Sequence, residues 1–287
     1  MLAERHPIPV LDAVRFDEPS HTYTVLGKRV PISVTKLTGR NFEAFDADRV
    51  ISANFTKWRV RASSPYHAVI AGSTSEQEAK VAIKAGWDAK GLEARTLGTK
   101  LHKIAEDLLN GKGVDAGADA SVRAERHAFE AWRAEWAGER RLSPYRTELP
   151  LYGVDDEGVP VIAGMIDALF RTPDGELVLV DWKRSKPFSA TAHERDRFAR
   201  NGTGPCAALP DDAFWKYSLQ LAVYARLLKL TAGLDVGARR FLVRLTAEDG
   251  YEVIEADAER VDPVAHALLH GELGVRLPVV KRPRERT

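Results

Sequence analysis

An aspartate and a lysine two residues apart close an apolar run, Leu177-Val-Leu-Val-Asp-Trp-Lys183. In an extended strand alternate side chains share a face, so Asp181 and Lys183 point one way and Trp182 the other. The apolar stretch before them reads as a central strand buried on both faces. Acid and amine therefore emerge where the core ends, and charges so placed need partners or a metal. A second apolar run, Val161–Phe170, contains one acid, Asp167. The tight-turn sequence Thr172-Pro-Asp-Gly175 joins the two runs, which makes them antiparallel partners and can bring Asp167 across from Asp181. Two opposed carboxylates repel unless a cation lies between them, and hard oxygen donors with room for water favour Mg2+ or Mn2+. Such an ion polarises a phosphate, lowers the pKa of a bound water and stabilises a leaving oxygen. Lys183 would orient the attacking water or neutralise charge developing in the transition state. The triplet recurs at Glu78-Ala-Lys80 and Asp88-Ala-Lys90. Both copies lie in a helical run, where residues two apart do not share a face.

The elements that must position these groups are legible in outline. Val14–Asp17 and His21–Val30 alternate around Gly27 as an N-terminal β-hairpin. Asp46 is placed to cap a helix reaching Trp58 and Arg61, and Ser73–Glu78 opens a run through Trp87 and Leu92. A separate helix is expected from Gly98-Thr-Lys-Leu-His102 to about Gly111, because Leu101, Ile104, Ala105, Leu108 and Leu109 keep one apolar face. Asp119 would cap another, to about Gly138. Three strands follow, Arg146–Tyr152, Val159–Arg171 and Glu176–Trp182, and then a polar stretch, Ser189–Pro210. Asp211 or Asp212 caps a strong helix through Leu230, closed by Gly233. Arg239–Thr246 and Tyr251–Asp257 form a closing hairpin, and Asp262–Leu269 a short helix. This order predicts an α/β fold, a central mixed β-sheet flanked by helices, with an N-terminal β-hairpin and helical region. The expected organisation is one domain over 1–280, with an N-terminal part, 1–140, a core, 141–260, and a disordered basic tail, 281–287.

Of the 287 residues, 44% are hydrophobic and 29% charged, the balance of a globular chain. Lys and Arg number 42 against 41 Asp and Glu, so a nucleic-acid contact must come from a local basic surface. The single cysteine, Cys206, excludes an internal disulfide, an iron–sulfur cluster and a cysteine zinc site. No stretch approaches a membrane span and the first seven residues lack the apolar core of a secretory signal. A soluble intracellular protein, in the cytoplasm or a DNA-containing compartment, is expected.

Four motifs in order resemble the PD-(D/E)XK superfamily, in particular its RecB-type nuclease branch. Gly98-Thr-Lys-Leu-His102 resembles the branch's helical histidine motif and Gly164-Met-Ile-Asp167 its first acidic motif. Asp181-Trp-Lys183 is similar to its (D/E)XK motif, and Gln220-Leu-Ala-Val-Tyr224 to its Gln-x-x-x-Tyr motif. Weaker matches at Ser33-Val-Thr35 and Trp87 extend the likeness over about Ser33 to Lys229. By that resemblance the metal ligands are His102, Asp167, Asp181 and the backbone carbonyl of Trp182. Lys183 is the catalytic lysine, and Gln220 and Tyr224 look towards the active site or the DNA backbone. Glu148 stands on the preceding strand where the family often places an acid. Arg184, Ser185 and Lys186 are candidate DNA contacts beside the site. The implied activity is that of a Mg2+- or Mn2+-dependent deoxyribonuclease, closer to phage-type and mitochondrial genome-maintenance exonucleases, with a role in DNA repair or recombination. Exonuclease action on single-stranded DNA or DNA ends is favoured. A structure-specific endonuclease or resolvase, and a catalytically inactive DNA-binding module, are the alternatives.

Overall fold

The computed structural model describes residues 1–18, 20–114, 120–185, 187 and 200–276. The Asp119 cap, Lys186, the first part of the Ser189–Pro210 stretch and the tail lie outside the described residues. The chain forms two compact units, Met1–Phe42 with Leu101–Thr287, and Glu43–Lys100.

The smaller unit is helical. Asp46 accepts the Arg49 N–H and starts α3, Ala47–Val60, as its position predicts. With α4, His67–Gly72, and the first part of α5, Glu76–Leu109, it encloses Ile51, Phe55, Ala79 and Ile83. Trp58, Tyr66 and Trp87 cover this small core, and the Trp87 indole donates to the Tyr66 hydroxyl at 2.9 Å.

The sequence leads to two helices between Ser73 and Gly111, but the chain builds one of 34 residues, α5. Gly98 is not a break. It does not take a positive φ, and a glycine inside a helix costs only about 1 kcal/mol.

In the larger unit, a single turn α1, Leu2–Arg5, precedes β1, Val14–Asp17, β2, Thr22–Val25, and β3, Lys28–Arg29. These strands make a three-stranded antiparallel sheet rather than the expected two-stranded hairpin. His21 and Gly27 both take positive φ and mark its two turns. A short strand β4, Ile32–Ser33, then leads into α2, Val34–Gly39.

The principal sheet is mixed, as the order of the elements predicts, and has six strands. Its long strands are β5, Ser143–Val154, β6, Pro160–Arg171, β7, Leu177–Lys183, β8, Arg240–Thr246, and β9, Gly250–Glu255. On one face packs α7, Ala213–Ala232, capped by Asp212 and ended by Gly233 at φ 69°. On the other packs α6, Arg123–Trp132. The helix expected at Asp262–Leu269 starts earlier, as α8, Ala258–His266, because Asp257 supplies its cap at the Arg260 N–H, and it continues as a π-helical segment, Ala267–Glu272.

The pairing of β6 leaves an opening. β5 runs antiparallel along one edge, and the other edge is shared by β4 at Ile162 and Ala163 and by β7 from Ala168 to Arg171. Between them, Gly164 to Asp167 has no strand partner on that edge among the described residues.

Candidate active site

The β6–β7 ladder runs from Arg171↔Leu177 to Ala168↔Val180. One step further the same register would set Asp167 opposite Asp181, but the ladder stops there. Asp167 Oδ2 instead accepts the Trp182 N–H at 2.8 Å. On the far side of β6, the pairs Thr147↔Ala168 and Leu149↔Ile166 bracket Glu148 beside Asp167. Glu148 has φ 42°, a backbone state uncommon for a side chain with a Cβ and one that collects at functional sites. Glu148, Asp167 and Asp181 thus stand in one row across three adjacent strands.

His102 reaches this row from the last turns of α5. Its Nε2 is 3.0 Å from the Trp182 carbonyl oxygen and its Nδ1 is 3.5 Å from Asp167 Oδ1. One donor atom from each of His102, Glu148 and Asp167 lies within 4.8 Å of the others. Asp181 is not in that cluster. Its Oδ2 lies 2.5 Å from Lys183 Nζ, and the two side chains share a face of β7 as the alternation requires. Trp182 turns to the opposite face and packs on Phe129, Trp132 and Phe170. That aromatic anchor fixes the backbone between acid and amine.

Burial and charge act on every group here. Burial raises Glu148, with the Asp167 charge adding to it, and its pKa is pushed up to about 8. Burial and the Asp167 charge likewise raise Asp181 to about 6, with Lys183 opposing. His102 is disfavoured as a cation by burial, but the charge and hydrogen bond of Asp167 outweigh this and carry it to about 9. Burial pushes Asp167 up, and the combined pull of His102, Lys183 and the Trp182 N–H holds it below the usual carboxylate range.

Helix α7 closes the site. Gln220 Nε2 donates to Tyr224 Oη at 2.9 Å, and burial followed by the Asp181 charge raises the Tyr224 phenol well above its ordinary pKa. The ring of Tyr224 passes so close to β6 that a Cβ at Gly164 would fall 2.7 Å from its Cε1, and 2.7 Å from a Val34 methyl. Gly164→Ala is therefore expected to cost about 1–3 kcal/mol and to displace Tyr224. A lower Tm would show this, and an unchanged Tm would mean that the ring gives way at no cost.

Of the candidate DNA contacts, Arg184 Nε is tied at 2.7 Å to the buried Glu125 of α6. The Ser185 hydroxyl is buried and has no hydrogen-bond partner among the described residues. Two residues next to the site were not singled out from sequence. Tyr217 lays its ring 4.5 Å from Lys183 Nζ, and its spacing of three and seven from Gln220 and Tyr224 on one helix could have flagged it. Tyr23, on β2, is raised to about 12 by burial and then by the charges of Glu148 and Asp167. No local pattern marks it.

Two carboxylates, an imidazole and the adjacent Trp182 carbonyl form a donor set that suits a divalent cation with hard or borderline preferences. A mixed sheet flanked by helices carries an acid row and a lysine at the frayed end of its central strands, which makes this a candidate metal site. Sequence comparison agrees. The family profile of the PD-(D/E)XK nuclease superfamily matches residues 76–273, and the chain belongs to that superfamily. No curated protein matches. Thirteen chains of solved structure match, among them SSO0001, at 14% identity over 62% of this chain and 86% of that one, with a TM-score of 0.26. Among the described residues, no helix is long and apolar enough to cross a membrane.

Proposed function

We propose that the protein is a deoxyribonuclease that hydrolyses phosphodiester bonds with Mg2+ or Mn2+ and acts as an exonuclease on single strands or DNA ends. The observation that carries this reading is the row of Glu148, Asp167 and Asp181 on three adjacent strands, flanked by His102 and Lys183. His102, Glu148 and Asp167 would hold the cation with the Trp182 carbonyl, and Asp181 would join them by exchanging its contact with Lys183. A bound divalent cation supplies Lewis acidity and a water of lowered pKa. The chain's own groups do the rest. Asp167 holds the Trp182 peptide in place through its N–H. Lys183 presents its ammonium between Asp181 and the Tyr217 ring, where it orients the attacking water or meets charge developing on the phosphate. Gln220 and Tyr224, joined to each other, face the scissile strand.

Purified protein incubated with labelled single- and double-stranded DNA, linear or circular, tests this. Cleavage is expected with Mg2+ or Mn2+ and not with chelator, with linear DNA consumed and circular DNA left intact. Equal attack on circles would make it an endonuclease, and no cleavage of any substrate would leave a DNA-binding module.

A further inference from the structure

We propose that a cleft on the N-terminal sheet, lined by Arg29 and Lys36, binds phosphate groups of the DNA strand on which the candidate site acts. The inference rests on the deoxyribonuclease reading and adds to it a second point of contact with the substrate.

The cleft has a volume of about 300 Å³ and is lined by β2, β3, β4 and the start of α2. Its polar groups are those of His21, Thr22, Tyr23, Arg29, Ser33 and Lys36, and among the described residues no carboxylate lines it. Arg29 and Lys36 are exposed. Neither makes an ion pair or a side-chain hydrogen bond among the described residues, whereas the cations nearer the acid row are engaged, Lys183 by Asp181 and Arg184 by Glu125. Two cations with no acid partner among the described residues, set beside hydroxyl groups in a concave surface, match a phosphate, which accepts hydrogen bonds and carries negative charge.

The cleft also lies in the right place. Tyr23, which lines it, is close enough to Glu148 and Asp167 to feel their charges. Ser33, which also lines it, pairs with Ala163 on β6. Asp167 is four residues further along that strand, which at the rise of an extended chain is about 13 Å. A strand of a few nucleotides spans that distance, so one phosphate can lie at the acid row while its neighbours are held on the N-terminal sheet.

The test is binding of a fluorescent single-stranded oligonucleotide to the full-length chain in chelator, where nothing is cut. An Arg29→Ala/Lys36→Ala double variant is expected to weaken Kd tenfold or more. It should also reduce the slope of log affinity against log salt by about 1.4, since each phosphate contact on a single strand contributes ~0.7. Lys28→Ala, next along β3 but outside the cleft, should change neither. Both substituted side chains are exposed, and the milder Arg29→Gln and Lys36→Gln singles repeat the test should the double variant fold poorly. A loss shared by circular DNA identifies internal diesters, and one confined to 5′-phosphorylated linear DNA identifies a terminal phosphate. Either supports the site. Unchanged affinity and slope on every substrate, or a wild-type chain that binds none of them, would overturn it. Cleavage by the Lys183→Ala variant judges the nuclease reading separately.

Discussion

Lys183→Ala is expected to lower DNA cleavage by at least about a hundredfold, the usual cost of removing one group that meets transition-state charge, while DNA affinity in chelator changes little. The amine sits 2.5 Å from Asp181 Oδ2, and both side chains are largely buried. Breaking a buried pair commonly costs ~3–5 kcal/mol because a lone charge remains. Here the remaining acid can take up a proton, since burial and Asp167 already place its pKa near 6. The loss should therefore appear in kcat rather than in folding, and a thermal melt run beside the kinetics separates the two. Lys183→Arg should rescue little, because a planar guanidinium cannot stand in for a compact ammonium between Asp181 and the Tyr217 ring. Cleavage by the alanine variant at the wild-type rate would remove Lys183 from the mechanism.

In chelator, the protein should lose stability steadily as pH rises from about 5 to 9, and added Mg2+ or Mn2+ should restore it most at the alkaline end. Glu148 moves from 4.5 to about 8 on folding, so its contribution is complete below 4.5 and lost as pH rises through 8. Asp181 behaves the same way, between 3.8 and about 6. His102, raised from 6.5 to about 9, gives stability that is present below 6.5 and gone above 9. Asp167 has the opposite sign, but its lowered value puts that effect at acid pH, outside this window. Each tenfold change in proton affinity is worth ~1.4 kcal/mol, so the decline should read as a fall of at least several degrees in Tm. Divalent cations take the place of these protons, so they should bind more tightly as pH rises. Glu148→Gln should flatten the decline. A Tm in chelator that is level from pH 5 to 9 would mean that the acids do not crowd one another.

Those acids were visible in the sequence because local rules govern their strands. Alternation puts Asp181 and Lys183 on one face, and the Thr172–Gly175 turn sets the register that aims Asp167 at Asp181. Asp212 and Gly233 bound the helix of Gln220 and Tyr224 by capping chemistry that depends on a few neighbouring residues. The rest depends on contacts distant in sequence. The pairing of Arg184 with Glu125 joins residues 59 apart. Ser33 meets Ala163 through a parallel pair of only two residues, too short to leave a pattern. Glu148 is a candidate from sequence only through the family resemblance, and nothing in Arg146-Thr-Glu-Leu149 announces its positive φ. Gly98 invited a helix break that the chain does not make, because intrinsic propensity is a weak term beside the apolar face that α5 buries at Leu101 and Ala105.

Calorimetric titration of the chelator-treated protein with Mn2+, wild type beside Asp167→Asn, asks whether these carboxylates gather a cation. Saturable binding accompanied by proton release in the wild type, and its weakening by a factor of ten or more in the variant, is the predicted result. Equal Mn2+ binding by both proteins would contradict the metal centre, and with it the reading of the acid row.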